Sequence, residues 1–141
     1  DIEKAITFYR DVIGMNHRDG PKESKGGPNE GVVGYKHTHM KIAHMDSPDG
    51  GVLELLEYIN PPPTVRPDQR ERSVIGATHL SFEVDDVDKV WHQIIDAGGT
   101  ELMPLQKFPD GRQEAYLQDP FGNWVELDSH PQPTNIDKTE V

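Results

Sequence analysis

The sequence predicts an α+β fold of two tandem βαβββ modules, which together form a cup-shaped, partly open mixed sheet. The prediction depends on two segments that share helical periodicity. The first runs from Asp1 to Gly14, and the second runs from Asp86 to Gly99. Each begins with an aspartate that suits a helix N-cap and ends with a glycine that suits a helix stop. Each is followed by strand patterns, the last of which contains a glutamate at the matching position, namely Glu54 or Glu126, so the chain is an internal repeat.

Module one is predicted over residues 1–60. Apolar residues recur every three or four positions in its helix, which ends at Gly14. Residues 20–30 are rich in Gly, Pro, Lys and Glu, which predicts a mobile loop. By comparison with module two, the first strand of module one is expected upstream of Asp1. The remaining predicted elements are strands over 38–45 and 52–59 and a turn over 47–51.

Module two is predicted over residues 76–129 and contains every element of the repeat. A linker over 61–75 separates the modules, because the prolines after Asn60 cannot continue a strand. Residues 130–141 have the composition of a disordered tail or arm. The chain of 141 residues is expected to be a single domain. The elements predicted for module two are strands over 78–84, 101–105, 113–118 and 124–128 and a helix over 87–97.

The composition excludes several classes of partner. The formal net charge is −11 and no run of Lys or Arg forms a basic stripe, so nucleic acid and anionic membranes are not expected partners. There are no cysteines, which excludes disulfides and thiolate ligands and fits a reducing compartment. No apolar stretch approaches the ~20 residues of a transmembrane helix. We therefore expect a cytoplasmic protein that acts on a small molecule.

Three side chains that suit a metal ion are predicted to share the open face of the sheet. Side chains alternate between the two faces of a strand. The apolar set of each strand packs under a helix, which leaves Glu54, His79 and Glu126 on the cup face. Glu57 falls on the helix side and is expected to be an exposed strand-end charge. The alternative for the three is a hydrogen-bonded interior histidine and two strand-end salt bridges.

Carboxylate and imidazole ligands suit a hard or borderline divalent ion, namely Ni, Co, Zn, Mn or Fe(II). Charged groups on a partly buried face need a partner or a cation. Because the three groups occur at repeat-related positions on matching faces, the sequence favours one divalent ion as the cofactor.

A family resemblance rests on four segments: FYRDVIGM at 8–15, VLELLEYINP at 52–61, GATHLSFEVDDVDKV at 76–90 and YLQDPFGNWVEL at 116–127. They resemble the vicinal oxygen chelate superfamily, which includes glyoxalase I, methylmalonyl-CoA epimerase, extradiol dioxygenases, fosfomycin-modifying enzymes and bleomycin-binding proteins. The resemblance implies one metal ligand on the first and last strands of each module. Carried over by position, these are Glu54, His79 and Glu126, with a fourth expected upstream of Asp1. The resemblance also implies a homodimer.

The activity that the resemblance implies is that of a metal-dependent lyase or isomerase of glyoxalase type. The ion would hold two neighbouring substrate oxygens and stabilise an enediolate, while Glu126 or Glu54 removes the adjacent proton. Two alternatives stay open, an Fe(II) extradiol-type dioxygenase and a metal-free protein that binds a drug or metabolite. Glu54 fills a position that such dioxygenases tend to leave open, which favours proton transfer.

Four further residues are candidates for contact with the substrate. Tyr116 and Trp124 flank the second turn and could stack on a substrate. Arg112 is a plausible anion contact in a loop. His39 is the candidate from a histidine cluster that we expect to form pocket or surface groups, because no carboxylate partner is evident beside it. The cluster consists of His37, His39 and His44.

Overall fold

A computed structural model describes residues 1–64, 73 and 75–130 of the chain, which divides into two units, Asp1–Gln69 and Arg70–Val141. In the described residues, the first unit combines two helices with one open sheet, and the second combines one helix with an open sheet that contains both parallel and antiparallel pairs. The predicted α+β class is confirmed. The assignment of the whole chain to one domain stays a prediction. Most of the predicted linker and nearly all of the predicted tail lie outside the described residues.

The first unit is a three-stranded antiparallel sheet with its longest helix packed against β2 and β3. The strand order is β1-β2-β3, so β2 is the central strand. Its elements are α1 (Ile2–Asp11), β1 (Asn16–Lys25), α2 (Pro28–Val33), β2 (His39–Asp46) and β3 (Val52–Asn60).

Helix α1 begins as the sequence predicts. The carboxylate of Asp1 accepts a hydrogen bond from the backbone N–H of Lys4 at 3.2 Å, which is the geometry of an N-cap. The helix buries one apolar stripe against the sheet, and Gly14 follows it with a positive φ of 87°. None of the described helices is long and apolar enough to cross a membrane. The buried stripe consists of Ile2, Ala5, Ile6, Phe8 and Tyr9.

Glu57 has a different role from the one expected. It lies on the helix side of β3, as strand alternation predicts, but it is not a free strand-end charge. Its Oε2 accepts a hydrogen bond from the backbone N–H of Ile2 at 3.2 Å, and Lys41 Nζ lies 3.8 Å from the same oxygen. The first turn of a helix has N–H groups without partners, and a carboxylate there satisfies one of them. Glu57 therefore fastens α1 to β3.

The mobile loop predicted over residues 20–30 is wrong. Strand β1 continues to Lys25, and the segment then turns into α2. The strand tolerates its Gly and Pro residues because its pairing with β2 shifts register twice, on either side of Asp19. Gly20 has a φ of 93°, and a Cβ there would lie 2.5 Å from the carbonyl oxygen of Ile42. Long-range pairing with β2 thus determines the conformation of a segment whose composition is typical of a loop.

The second unit is built around β8, which pairs with β4 in parallel and with β7 in antiparallel orientation. The strand order is β4-β8-β7-β5, with β6 also on β7. The single strand predicted over 101–105 is replaced by two short strands. The elements are β4 (Leu80–Glu83), α3 (Val87–Asp96), β5 (Thr100–Glu101), β6 (Gln106–Lys107), β7 (Gln113–Gln118) and β8 (Trp124–Asp128).

Strand alternation in the second unit follows the prediction. Val125 and Leu127 are completely buried, whereas Glu126 between them is only partly buried. Helix α3 contributes Val87 and Ile94 to the same core, and both are also completely buried. The polar members of β8 are therefore directed to the opposite face of the sheet.

The two units contain equivalent hairpins. In the first, the N–H of Ser47 bonds to the carbonyl of Gly51, and the N–H of Gly50 bonds to the carbonyl of Ser47. In the second, the N–H of Asp119 bonds to the carbonyl of Asn123, and the N–H of Gly122 bonds to the carbonyl of Asp119. Asp119 is therefore the equivalent of Ser47. Each hairpin leads into a strand that carries its glutamate at the same distance from the turn, Glu54 in β3 and Glu126 in β8.

Replacement of Gly99 by alanine should destabilise the fold. A Cβ at Gly99 would lie 2.5 Å from Ile94 Cγ2 and 2.6 Å from the carbonyl oxygen of Gln118, so α3 could not keep its approach to β7. We expect a loss of about 1–3 kcal/mol in the free energy of unfolding, measured by urea denaturation. Gly31→Ala is the control, because no atom lies within 4 Å of its Cβ position in α2. Equal effects of the two substitutions would contradict this account.

Replacement of Asp119 by alanine should also destabilise the protein. Asp119 is 2% exposed, and its Oδ1 accepts the backbone N–H groups of Phe121 at 2.9 Å and Asn123 at 2.8 Å. Loss of this acceptor leaves partly buried donors unsatisfied, at a cost of about 1–3 kcal/mol. Asp119→Asn retains a carbonyl oxygen at the same position and should cost clearly less in the same unfolding measurement. An asparagine variant as unstable as the alanine variant would refute this role of Oδ1.

Candidate functional site

The second unit brings His79 and Glu126 together. The imidazole Nε2 of His79 lies 2.9 Å from Oε2 of Glu126. His79 directly precedes β4, and Glu126 is central in β8, where its register neighbours are Ser81 on one side and Tyr116 on the other. The side chains are 40% and 20% exposed, so solvent reaches the pair while the carboxylate is the better protected partner.

Two aromatic rings lie beside this pair. The ring of Tyr116 is 5.3 Å from that of His79 at an interplanar angle of 76°, and the ring of Trp124 is 6.4 Å from that of Tyr116. Both contacts are edge-on, a favourable arrangement for aromatic rings. Tyr116 and Trp124, which the sequence predicts as substrate contacts, thus form an aromatic wall along the imidazole–carboxylate pair. Their contact with a substrate stays a prediction.

In the first unit, Glu54 faces away from α1, as strand alternation predicts. Its side chain is 53% exposed, and its neighbours on the same face of β3, Val52 and Leu56, are 53% and 44% exposed. Glu54 is not isolated, since its Oε1 lies 3.3 Å from Nε2 of His44 on β2. The exposed face therefore carries a second imidazole–carboxylate pair between two apolar side chains.

His44 has carboxylate partners, contrary to the expectation that the histidine cluster lacks them. Its Nδ1 lies 3.0 Å from Oδ1 of Asp19, so the imidazole lies between two carboxylates. The hydrogen bond with His44 holds the pKa of Asp19 below its usual value; burial opposes this effect, and the charge of Lys22 adds to it. The pairing of His44 with Glu54 had a signal in the sequence, because the two residues are equally distant from the turn between their strands.

The remaining candidates have other partners. Arg112 donates hydrogen bonds to Asp110 at 3.0 Å and to Glu114 at 2.9 Å, and its guanidinium lies 4.6 Å from the ring centre of Phe108. An incoming anion would have to compete with both carboxylates. The buried Nε2 of His39 lies 3.6 Å from Oε2 of Glu23, beyond hydrogen-bond distance, and has no hydrogen-bond partner among the described residues. Roles in substrate binding for Arg112 and His39 stay predictions.

The metal-ligand set predicted from the sequence is divided between the units. Glu54 belongs to the first unit, and the His79–Glu126 pair belongs to the second. Within residues 1–64, 73 and 75–130, no group of three or more His, Asp or Glu side chains is arranged to hold one ion. Each unit instead contains an imidazole–carboxylate pair whose atoms are of the type that bind divalent ions. Convergence of the predicted set, and a fourth ligand upstream of Asp1, stay predictions.

Solved structures with the same fold come from several bacteria. A glyoxalase family protein from Bacillus cereus is 23% identical, with a TM-score of 0.79 over 92% of this chain and 86% of that one. A glyoxalase/dioxygenase from Nostoc punctiforme is 21% identical, with a TM-score of 0.64 over 94% of this chain and 85% of that one. At these identities the similarity shows a common fold. No curated protein matches the sequence.

The family is identified by a match of the sequence to a family model. The Glyoxalase/Bleomycin resistance protein/Dioxygenase superfamily matches residues 1–127, which include both units' sheets up to β8 and both imidazole–carboxylate pairs. This match confirms the resemblance to the vicinal oxygen chelate proteins. Together with the repeated hairpins, it establishes that the chain belongs to the Glyoxalase/Bleomycin resistance protein/Dioxygenase superfamily.

Proposed function

We propose that this protein is a divalent-metal-dependent lyase or isomerase of glyoxalase type, which removes a proton from a carbon next to a carbonyl group. The observation that carries the proposal is the His79–Glu126 pair with its 2.9 Å separation. A carboxylate whose side chain is only 20% exposed, with an imidazole beside it, is a suitable general base. The aromatic wall of Tyr116 and Trp124 supplies a surface on which a small organic substrate can lie.

The residues present fit a divalent ion. His79 Nε2 and Glu126 Oε2 are an imidazole nitrogen and a carboxylate oxygen, donors that Zn, Ni, Co, Mn and Fe(II) accept. Their separation of 2.9 Å allows both to contact one ion. Glu54, the third ligand that the sequence predicts, belongs to the first unit, where it lies on the exposed face of β3, and its part in metal binding stays a prediction. When bound, the ion would act as a Lewis acid towards neighbouring oxygens of the substrate.

Glu126 is the base in this proposal. One carboxylate oxygen takes the proton from the substrate carbon, and the electron pair of the broken C–H bond moves towards the carbonyl oxygen to give an enediolate. Glu126 then returns the proton to the neighbouring carbon, while the hydroxyl of a hemithioacetal substrate loses its proton to solvent and the former carbonyl oxygen gains one, so the product is an isomer of the substrate. Tyr116 lies opposite Glu126 in the register of β7 and β8, and with Trp124 it borders the carboxylate on the side where the substrate would lie. We also propose that the protein works as a homodimer, as the family resemblance implies.

Replacement of Glu126 by glutamine should separate proton transfer from metal binding. The amide oxygen can still contact a metal ion, but the amide cannot accept the proton. We expect kcat to fall about 10²–10⁴-fold on hemithioacetals or CoA esters, while the metal content of the purified protein stays close to that of the wild type. Elemental analysis and steady-state assays measure the two quantities on the same preparation.

Glu83→Gln is the matched control, because Glu83 also lies beside an imidazole, with His130 Nε2 at 2.6 Å, yet both side chains are largely exposed. This variant should keep both activity and metal. Uptake of oxygen with Fe(II) and a catechol, without turnover of hemithioacetals or CoA esters, would refute the proposal in favour of a dioxygenase. Tight binding of an antibiotic without turnover, and without metal, would favour a binding protein.

A further inference from the structure

We propose that Asp128 determines which substrates this protein accepts, by binding a cationic ammonium group at one end of a small carbonyl compound. The inference rests on the proposed function and deepens it, because it names a substrate class for the base Glu126. It depends only on residues of the second unit.

One carboxylate oxygen of Asp128 is buried without a hydrogen bond. The oxygen is Oδ1, and among the described residues no donor lies within hydrogen-bond distance of it. Burial of a charged group without a partner is costly, and buried polar atoms in folded proteins nearly always have one. Because this oxygen lies on the same face of the sheet as the proposed base, a donor that arrives with the substrate would satisfy it.

The neighbouring carboxylates on the same face differ from Asp128 in this respect. In the register of the sheet, Asp128 of β8 lies opposite Glu83 of β4 and Glu114 of β7. Glu83 Oε1 lies 2.6 Å from Nε2 of His130, and Glu114 accepts a hydrogen bond from Arg112 at 2.9 Å. Asp128, in the middle of this row, is therefore the member without such a partner in the part of the chain that the structure describes.

Arg112 does not neutralise Asp128. Its guanidinium donates hydrogen bonds to Asp110 at 3.0 Å and to Glu114 at 2.9 Å. The pKa of Arg112 lies above its usual value mainly because of the hydrogen bond with Asp110, and the charge of Asp128 contributes least. The carboxylates of this face thus outnumber its guanidinium, a balance that favours a cationic ligand over an anionic one.

Three side chains on the same face of β8 give the substrate a direction. Trp124, Glu126 and Asp128 are alternate residues of the strand, on the face opposite the buried Val125 and Leu127. An aromatic ring, the proposed base and the Asp128 carboxylate therefore follow one another at intervals of about 6–7 Å. A substrate whose reacting carbon lies at Glu126 can place an apolar group against Trp124 and a cationic group against Asp128.

The spacing also limits the length of the substrate. From a carbon at Glu126, about three linking atoms bring an ammonium nitrogen within reach of Asp128. The hemithioacetal of an α-ketoaldehyde with a 2-aminoethanethiol has this length, because one sulfur and two carbons separate the reacting carbon from the nitrogen. Such an adduct fits better than a coenzyme A ester, whose phosphates would meet the carboxylates of this face.

The test compares hemithioacetals of phenylglyoxal that differ in the end group of the thiol. The thiols are 2-(dimethylamino)ethanethiol, 2-mercaptoethanol and 3-mercaptopropionate, which are cationic, neutral and anionic at neutral pH. We expect the kcat/KM of the wild type to be at least about tenfold higher for the cationic adduct than for the anionic one. Asp128→Asn removes the charge and keeps the shape, so it should lower kcat/KM for the cationic adduct about 10–100-fold and change that for the neutral adduct little.

Binding is measured separately from turnover, by NMR titration of the labelled full chain with the S-acetonyl thioethers of the same thiols. These compounds keep the carbonyl group and the end group, but they have no hydroxyl group and cannot be isomerised. The dissociation constant of the cationic thioether should rise about 10–100-fold in Asp128→Asn. Asp88→Asn is the matched control, because Asp88 lies on the exposed surface of α3, with Oδ2 3.8 Å from His92 Nε2. This variant should behave as the wild type in both measurements.

Stability provides a readout that a purely structural role of Asp128 would not share. Where Oδ1 has no donor within the chain, Asp128→Asn removes a buried charge without a partner, and the urea midpoint should stay the same or rise. A clear fall in the midpoint would show that the folded chain itself supplies a partner for the carboxylate, and it would overturn the inference.

The outcomes separate this inference from the proposed function. Turnover of all three adducts without preference for the cationic one would keep the proposed function and refute the role of Asp128, whose oxygen would then be satisfied by water. Binding of the cationic thioether that depends on Asp128, without turnover of any adduct, would support the inference and refute the proposed function. Absence of both the binding preference and turnover would refute both.

Discussion

A strand that packs one face under a helix must direct every second side chain away from it, and both imidazole–carboxylate pairs depend on this constraint. In β8, Val125 and Leu127 are completely buried, and Glu126 between them has no choice of face. A slip of one residue in register would bury the glutamate and expose both apolar neighbours. The hydrophobic core of the second unit thus fixes the position of the carboxylate more firmly than any contact that the carboxylate itself makes.

The turns determine which residues of neighbouring strands lie opposite each other. Asp119, almost fully buried, accepts two backbone N–H groups within its own turn and so sets which residue of β7 lies opposite which residue of β8. With the register fixed, Tyr116 must lie opposite Glu126. In the first unit the corresponding turn places His44 opposite Glu54. The positions of the imidazole and carboxylate groups on the exposed face of each sheet are therefore determined by residues of the core and of the turns.

Much of the fold could be predicted from the sequence because its signals are local. The N-cap of α1, the last two strands and the alternation around Glu126 each depend on residues close together in the chain. Strand β1 could not be predicted, because Gly20 and its neighbours have the composition of a loop and only their pairing with β2 makes them a strand. Glu57 shows the same limit, since its role depends on the distant N–H of Ile2.

Some contacts of the candidate site could likewise be predicted from the sequence, and others could not. Strand alternation and the repeat were sufficient to bring His79 and Glu126 to one face, and equal spacing from a turn would have paired His44 with Glu54. Asp19 has no such signal, because β1 shifts register on both sides of it and alternation no longer states where its side chain points. The alternation of apolar and polar residues therefore does not predict where a register shift interrupts a strand.

The equivalence of the two hairpins has a consequence for how such a protein diversifies. The same turn and register place a partner opposite each glutamate, and that partner is an imidazole in one copy and a phenol in the other. The position of the partner thus follows from the backbone, whereas its identity differs between the two units. A duplicated unit of this kind can change the reactivity beside its carboxylate through a single codon, while the core that supports the carboxylate is left untouched.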